Sequence, residues 1–266
     1  MSDVSFKERY GPWAVIAGGS EGMGSSFAER LAEQGINLVL VARKTGPLEE
    51  LATDIRQRFG VEVRTLSQDL MLPEAPANVI ETAAGCDVGL FIYNAGSDTA
   101  FDYILNRPLA QHEGILMLNA FTPLRLTYHF ARPMTERKTG GIILCSSLAS
   151  VGGMPGNGVY SGAKAFMNNF AEALWYEIRK QGVDVLAVVI PGVKTPALIR
   201  MGAKFDETSS EPEEIVDEVL AHIRNGPILD AGYCKTQAPG LRALPRDQVV
   251  RGLGAASEKF SGASGS

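Results

Sequence analysis

The sequence predicts an α/β protein with a doubly wound parallel sheet of about seven strands and helices on both faces. Three observations predict it. Short apolar runs alternate along the chain with amphipathic helical patterns. Glycine-containing turns follow two of these runs, at 18–24 and 94–96, as they do at the ligand-binding edge of open parallel sheets. Neither an internal repeat nor a linker interrupts the alternation, so we expect a single domain over residues 1–266.

Composition narrows the functional classes. The chain has 266 residues, of which 45% are hydrophobic and 21% charged, as in an ordinary globular protein. A net charge of −5, without any block of five like charges, argues against a nucleic-acid surface. The 3 cysteines lack metal-binding spacing, so we expect no metal site. We find neither a signal pattern nor an apolar run of about 18 residues, and we expect a cytoplasmic protein without a membrane span.

The first predicted strand follows a short polar arm (residues 1–11) and runs from Trp13 to Ala17. A glycine turn over 18–24 and a pattern of helical apolar spacing come directly after it. Gly18, Gly22 and Gly24 let the backbone approach a pyrophosphate, and free N–H groups at the start of the helix hold such an anion. This Rossmann-like order of strand, turn and helix favours a dinucleotide site over a plain tight turn.

The end of the second predicted strand, at 36–42, bears on the choice of cofactor. An acidic residue there would bind the ribose of NAD, whereas arginine accommodates the 2′-phosphate of NADP. Arg43 and Lys44 occupy this place, which favours NADP, although Arg43 alone is also typical of a solvated surface charge. Glu21 in the glycine turn is counter-evidence, because its charge would repel a phosphate. NAD remains the alternative.

The next elements complete the first half of the sheet. A helix is predicted at 48–59, a strand at 61–66, a helix at about 77–84 and a strand at 88–93. Asp69 and Leu70 follow the third strand, where a polar residue either meets the adenine or caps a turn. Asn94, Ala95 and Gly96 end the fourth strand with another glycine turn.

A long helical pattern over 109–134 contains a proline. Pro123 cannot donate a hydrogen bond to the carbonyl of Asn119, four residues back. We therefore expect a kink and a free carbonyl able to hold a water molecule. A packing kink without function is the alternative.

A tyrosine and a lysine share one face of the helix that follows the fifth strand. That strand, at 141–145, ends in Ser146-Ser147, and a glycine-rich loop at 152–158 leads to Tyr160 and Lys164. A phenol exchanges protons with an alcohol or alkoxide, and a nearby ammonium favours the phenolate. The same spacing recurs in Tyr176 and Lys180, about 160° further around the helix, so spacing alone does not choose between the pairs.

The sixth predicted strand, at 183–190, is stopped by Pro191 and Gly192. Small, apolar and basic residues follow at 193–211, and this segment is either a lid over a pocket or a surface helix. A helix at 212–224 and a short strand at 227–230 come next. The final residues, about 261–266, are predicted to be a flexible tail.

Taken together, these motifs resemble the classical short-chain dehydrogenase/reductase family over about residues 10–235. The motifs occur in the family's order: Gly18, Gly22 and Gly24; Asp69; Asn94-Ala95-Gly96; Asn119; Ser147; Tyr160 and Lys164; Pro191-Gly192. Residues 10–15 and 41–43 are most similar to the branch with 17β-hydroxysteroid dehydrogenases and long-chain 3-oxoacyl reductases.

The resemblance implies four catalytic residues. Tyr160 would be the general acid or base, Lys164 would lower its pKa and hold the nicotinamide ribose, Ser147 would bind the substrate oxygen, and Asn119 would anchor a water in a proton relay. The cofactor residues implied are Gly18, Ser20, Gly22, Met23, Gly24, Arg43, Lys44, Asp69, Leu70, Asn94, Ala95, Gly96, Tyr160, Lys164, Pro191, Gly192, Val193 and Thr195.

Three positions depart from the family pattern. Ala17 replaces a usual threonine, Glu21 stands where many NADP-using members have a basic residue, and Thr195 lies one residue closer to Pro191-Gly192 than usual. The last departure leaves the contact of Thr195 with the nicotinamide less certain.

The function expected is NADPH-dependent interconversion of a ketone and a secondary alcohol on a hydrophobic substrate, hydroxysteroid-like or 3-oxoacyl-like. The alternatives are an oxidative NAD-dependent alcohol or hydroxysteroid dehydrogenase and a catalytically idle NADP-binding protein. Apolar residues of 193–205, with Phe101 and Met154, suggest the hydrophobic substrate. Lys194, Arg200 and Lys204 would meet an acyl carrier's phosphates or only water. The resemblance also implies a homodimer or homotetramer paired through the helices that hold Asn119 and Tyr160.

Overall fold

The protein is described from a computed structural model covering residues 4–98, 100–200, 202, 205–206 and 208–261, with side chains as far as 257. Residues 262–266 of the predicted tail and residues 1–3 of the predicted arm therefore lie outside the described residues. Met201, Ala203, Lys204 and Glu207 of the predicted lid do so as well.

A seven-stranded parallel sheet organises the chain, in the order β3-β2-β1-β4-β5-β6-β7. The strands are β1 Trp13–Ala17, β2 Asn37–Ala42, β3 Val63–Ser67, β4 Val88–Tyr93, β5 Gly140–Cys145, β6 Val183–Val189 and β7 Ile228–Asp230. The predicted α/β class and the number of strands are confirmed, and the strand order reverses between β1 and β4. Such a reversal opens a crevice at the carboxyl ends of the strands.

Helices cover both faces of the sheet. They are α1 Phe6–Tyr10, α2 Met23–Glu33, α3 Thr45–Phe59, α4 Ala75–Thr82, α5 Leu109–Leu116, α6 Thr122–Arg137, α7 Gly158–Ile178, α8 Pro196–Arg200, α9 Pro212–His222, α10 Cys234–Ala243 and α11 Arg246–Ser261. Two apolar clusters, one on each side of the sheet, form the core. The five residues of β1 are all buried, as expected for a strand covered on both faces.

The amino-terminal segment is a helix rather than the predicted polar arm. Ser5 caps α1, accepting a hydrogen bond from the Glu8 amide, and Glu8 accepts one from the Ser5 amide in return. Tyr10 is buried at the end of this helix, and its hydroxyl donates to Asp184 at the start of β6. The prediction failed because a five-residue helix is too short to show apolar periodicity.

A π-helical turn, Met117–Phe121, joins α5 to α6 at the place where the sequence predicted a kink. The Thr122 amide donates to the Met117 carbonyl, five residues back. Pro123 has no N–H for the carbonyls behind it, and the Tyr93 hydroxyl donates to one of them, that of Leu118. The kink is therefore a widened turn, supported by a side chain from β4.

Helices α10 and α11 were not predicted from the sequence. Val249 and Leu253 of α11 are buried, and a Cβ added at Gly152 would meet both side chains. The apolar spacing of 249, 250 and 253 is helical and was available as a signal. This last helix packs on the glycine-rich loop that leads to Tyr160.

Candidate active site

The predicted site residues gather at the carboxyl ends of six strands, with Arg43 after β2 and Asp69 after β3. The glycine turn follows β1, Asn94 follows β4, Ser147 follows β5 and Pro191 follows β6. This edge adjoins the reversal in strand order, where open sheets bind their ligands.

The glycine turn has the geometry of a phosphate-binding turn. Gly18 has φ of +86° and Gly22 has φ of +57°, values that favour glycine. A Cβ at Gly24 would lie 1.8 Å from the Gly18 carbonyl oxygen, so the start of α2 packs directly on the turn. The side-chain amide of Asn94 donates to that same carbonyl at 2.9 Å. The turn therefore fits the pyrophosphate of a dinucleotide, with backbone amides at the start of α2.

Two connected cavities lie along this edge. The outer cavity, about 190 Å³, contains eight of the predicted cofactor residues: Gly18, Ser20, Arg43, Lys44, Asp69, Leu70, Ala95 and Gly96. The inner cavity, about 290 Å³, is lined by Met23, Asn94, Gly96, Ser147, Tyr160, Lys164, Pro191, Val193 and Thr195, all predicted. Glu21, Gly96, Ser97 and Ala197 line both. An elongated ligand with a charged end and an apolar end suits this arrangement.

Asn119 and Lys164 meet at Gly96. A Cβ at Gly96 would lie 2.3 Å from the Asn119 side-chain oxygen and 2.7 Å from the Lys164 nitrogen. Asn119 is fully buried; its amide nitrogen donates to the Ile115 carbonyl at 3.0 Å, and its side-chain oxygen has no hydrogen-bond partner. A buried acceptor of this kind calls for a donor from a bound molecule or water.

The lysine of the predicted pair is almost completely buried. Lys164 is 1% exposed, and its ammonium donates to the Cys145 carbonyl at the end of β5, at 2.7 Å. Its nitrogen lies 5.6 Å from the centroid of the Tyr160 ring. Burial lowers the pKa of Lys164 to about 8, because the charged form loses hydration.

The pKa of Tyr160 shifts in the direction opposite to the one expected. Burial raises it to about 12, and hydrogen bonding to the Ser147 hydroxyl lowers it by less. Asp98 and Cys145 raise it further by their charge. Burial of the phenol outweighs the hydrogen bond to Ser147, and the expected lowering of this pKa by Lys164 stays a prediction.

Ser147 lies just after β5, as predicted, and directly before a 3₁₀ turn, Leu148–Val151. Its hydroxyl oxygen accepts a hydrogen bond from the Ala149 amide at 3.2 Å, which fixes the side chain beside the inner cavity.

Asp69 has one of the two roles considered from the sequence: its carboxylate accepts from the Met71 amide in a turn, while the residue lines the outer cavity.

Two ion pairs near the site were not found from the sequence. Arg107 pairs with Asp98 at 2.6 Å, with both side chains nearly buried, in the loop after β4. Arg200 of α8 binds both carboxylate oxygens of Glu21. The first contact lies within an irregular loop and the second joins distant segments, so neither has a sequence pattern that would predict it.

The segment over 193–211 is only partly apolar at the site. Val193 is buried and Leu198 lines the inner cavity, whereas Ile199 is 58% exposed. Lys194 pairs with Glu211 at 2.7 Å. Thus Lys194 and Arg200 both have acidic partners, and Lys204 lies outside the described residues.

Neither a metal cluster nor a membrane-spanning helix occurs among the described residues. In that part of the chain, no group of three His, Cys, Asp or Glu side chains is placed to hold a metal ion. No helix within it is both long and apolar enough to cross a membrane.

Several named proteins are similar to this chain in sequence. A 7beta-hydroxysteroid dehydrogenase of Mediterraneibacter gnavus is 31% identical over 223 residues, or 82% of this chain and 84% of that protein. A very-long-chain 3-oxoacyl-CoA reductase of Rattus norvegicus is 31% identical over 206 residues, or 76% of this chain and 66% of that protein. The branch suggested by residues 10–15 and 41–43 is consistent with both.

Solved structures agree in fold. One, described as giving insights into 7beta-hydroxysteroid dehydrogenase stereoselectivity, has a TM-score of 0.88 and 30% identity, covering 93% of this chain and 98% of its own. A short-chain dehydrogenase from Sphingobium yanoikuyae in complex with NADPH has a TM-score of 0.75 and 30% identity, covering 83% and 87%. The family model described as short chain dehydrogenase matches residues 12–205. The chain belongs to the short-chain dehydrogenase/reductase family of oxidoreductases.

Proposed function

We propose that the protein is an NADPH-dependent carbonyl reductase that interconverts a ketone and a secondary alcohol on a hydrophobic, hydroxysteroid-like substrate. The observation that carries the proposal is the inner cavity, where Ser147, Tyr160 and Lys164 line one space that continues into the outer cavity.

The proposed roles follow from the side chains. Tyr160, with its pKa raised to about 12, is protonated at neutral pH and ready to donate to the oxygen of a ketone during reduction. Ser147 donates to the same oxygen and holds it in place. Lys164, with a pKa of about 8, is mostly charged at pH 7 and supplies donors to the ribose hydroxyls and the phenol. The nicotinamide, when bound, supplies or accepts the hydride.

Asn119 completes the proposed proton path. Its backbone carbonyl has no donor four residues ahead, since that residue is Pro123, and its side-chain oxygen is buried without a partner. A water bound here would reach Lys164 across Gly96 and reprotonate the phenol through the lysine.

Cofactor choice rests on the outer cavity. Arg43 and Lys44 line it, and the solved relative from Sphingobium yanoikuyae is in complex with NADPH. We expect wild type to bind NADPH more tightly than NADH and Arg43→Ala to lose about tenfold in NADPH affinity alone. Tighter binding of NADH by wild type would favour the alternative, an oxidative NAD-dependent dehydrogenase.

The substrate class is proposed from the apolar wall of the inner cavity, including Ile190, Val193 and Leu198, and from the names of the relatives. The decisive experiment is a panel of 7-oxo and 7-hydroxy steroids, simple bulky ketones and 3-oxoacyl thioesters, assayed with both cofactors by nicotinamide absorbance. Fastest turnover of the steroids is expected. Turnover of the thioesters alone would move the proposal to the acyl branch, and cofactor binding without any turnover would favour the idle protein.

We further propose that 193–211 acts as a lid. The ends of this segment are pinned together, because the Lys194 amide donates to the Ser210 carbonyl and the Ser210 amide donates to the Gly192 carbonyl. A compact loop with joined ends moves as a unit. The single-domain organisation is proposed because one sheet carries the whole site. The cytoplasmic location expected from the sequence is likewise a proposal.

Self-association through α5, α6 and α7 is also proposed. Large apolar side chains are exposed on these helices and on the π turn between α5 and α6: Leu109, Leu116, Phe121, Leu124, Tyr128 and Phe166. An apolar surface of this kind is typical of an interface. Analytical ultracentrifugation should find a dimer or tetramer, which Tyr128→Glu with Phe166→Glu should dissociate; a wild-type monomer would contradict the proposal.

A further inference from the structure

Glu21 in the glycine turn is held by a residue of the lid. Two nitrogens of the Arg200 guanidinium donate to the two Glu21 carboxylate oxygens, and the Lys44 ammonium lies 3.4 Å from one of them. Hydrogen bonding to Arg200 is the largest cause that holds the pKa of Glu21 below its usual value. The contact joins positions 179 residues apart in the sequence.

The backbone of the glycine turn also packs against a side chain of the lid. A Cβ at Gly22 would lie 2.7 Å from the Thr195 side chain, one residue before α8. Glu21 and Ala197 both line the two cavities, so α8 crosses the cleft where the outer and inner cavities join. Arg200 is thereby carried to the mouth of the outer cavity, which it lines together with Arg43 and Lys44.

The charged side chains that line the outer cavity affect whether it binds NADPH or NADH more tightly. An isolated Glu21 would repel a dianionic 2′-phosphate, and Lys44 would be divided between the carboxylate and the phosphate. The bidentate contact with Arg200 neutralises the carboxylate and leaves the cavity with an excess of positive charge.

We propose that Arg200 is a cofactor-selecting residue supplied by the lid, which neutralises Glu21 and so allows the outer cavity to prefer NADPH over NADH. This inference rests on the proposed NADPH-dependent function. It makes the preference for NADPH depend on the lid as well as on the residues that follow β2.

The test measures dissociation constants for NADPH and NADH by nicotinamide fluorescence, without substrate. Arg200→Gln should weaken NADPH binding about tenfold and leave NADH within about twofold, since only NADPH carries the phosphate that Glu21 then repels. Arg200→Lys should retain most of the preference because it keeps the charge. Glu21→Gln with Arg200→Gln should return NADPH affinity to within about twofold of wild type, because the repulsion is gone.

Lys194→Gln is the matched control. It removes one positive charge from the same segment, but Lys194 pairs with Glu211 and is not among the residues that line either cavity. The preference for NADPH should remain unchanged in this variant.

Three results would overturn the inference. The inference is wrong if Arg200→Gln binds NADPH as tightly as wild type does. It is also wrong if this variant loses affinity for NADPH and NADH equally and the double variant does not regain NADPH affinity. Both results leave the NADPH-dependent function in place. A wild-type preference for NADH would overturn both the inference and the proposed choice of cofactor. Turnover of the substrate panel is measured separately, so a wrong substrate class does not affect this test.

Discussion

Two tyrosine–lysine pairs with the same spacing lie on α7 and the turn that continues it, and their surroundings differ. Tyr160 lines the inner cavity with Lys164, which is 1% exposed and bound to the Cys145 carbonyl. Tyr176 is 64% exposed and lies beside Arg179 at 5.5 Å, with Lys180 also exposed. Identical spacing thus produces a buried lysine beside a half-buried tyrosine, both with shifted pKa values, in one place and a solvated surface in the other. Burial, rather than the motif, distinguishes them.

Removing the phenol hydroxyl from each tyrosine tests most directly whether the two pairs differ in function. Tyr160→Phe should lower kcat by about a thousandfold or more, because the proton donor is lost while the ring remains. Tyr176→Phe is the matched control and should retain wild-type turnover. Both are measured with NADPH and the best substrate of the panel. Comparable activity in the two variants would remove Tyr160 from the proposed mechanism.

The lysines provide the second test. Lys164→Met should lower kcat by about a hundredfold, since it removes the buried donor next to Tyr160 and Asn119. Lys180→Met should have no effect on kcat. A loss confined to NADPH affinity in Lys164→Met would restrict the lysine to binding and remove it from the proton path.

The pH dependence of stability tests whether Lys164 is buried, in contrast to the exposed Lys180. The pKa of Lys164 is lowered from 10.5 to about 8 in the folded state, so between these values the unfolded chain binds more protons and stability rises with pH. The free energy of unfolding of wild type relative to Lys164→Met should therefore increase by roughly 2 kcal/mol from pH 8 to 10. Tyr160, whose pKa is raised to about 12, acts in the opposite direction only above pH 10. Urea titrations across this range measure the difference, and a flat profile would contradict the burial of a titrating lysine.

The smallest expected effect concerns the π turn beside the buried pair. Tyr93→Phe removes the hydroxyl that donates to the Leu118 carbonyl and should lower the free energy of unfolding by about 1–3 kcal/mol. Tyr103→Phe, at a tyrosine that is 59% exposed, should change it by less than about 0.5 kcal/mol. Thermal unfolding compares the two, and equal losses would mean that the turn does not depend on this bond.

Much of the fold was predictable because its strands are buried on both faces. Continuous apolar runs such as Val88–Tyr93 are a direct result of that burial, and the strand predicted at 88–93 has the same bounds in the structure. The grouping of Gly18, Ser147 and Tyr160 was predictable as well, since the carboxyl ends of parallel strands meet at one edge.

What the sequence did not reveal depends on contacts between distant segments. Arg200 contacts Glu21 because α8 crosses the cleft, and no local pattern encodes that crossing. The raised pKa of Tyr160 depends in the same way on how much water the folded chain excludes. Helix α11 is a different case, since its apolar spacing was present and was overlooked.

The position of Gly96 between Asn119 and Lys164 has a consequence for how this protein tolerates mutation. Even the single carbon of alanine would overlap the Asn119 oxygen, so a saturation library at residue 96 should return only glycine among its active members. Gly162, two residues after Tyr160, has nothing within 4 Å of an added Cβ. A saturation library at residue 162 should therefore accept alanine, which is a better helix former than glycine. The space around the added Cβ atom accounts for both outcomes.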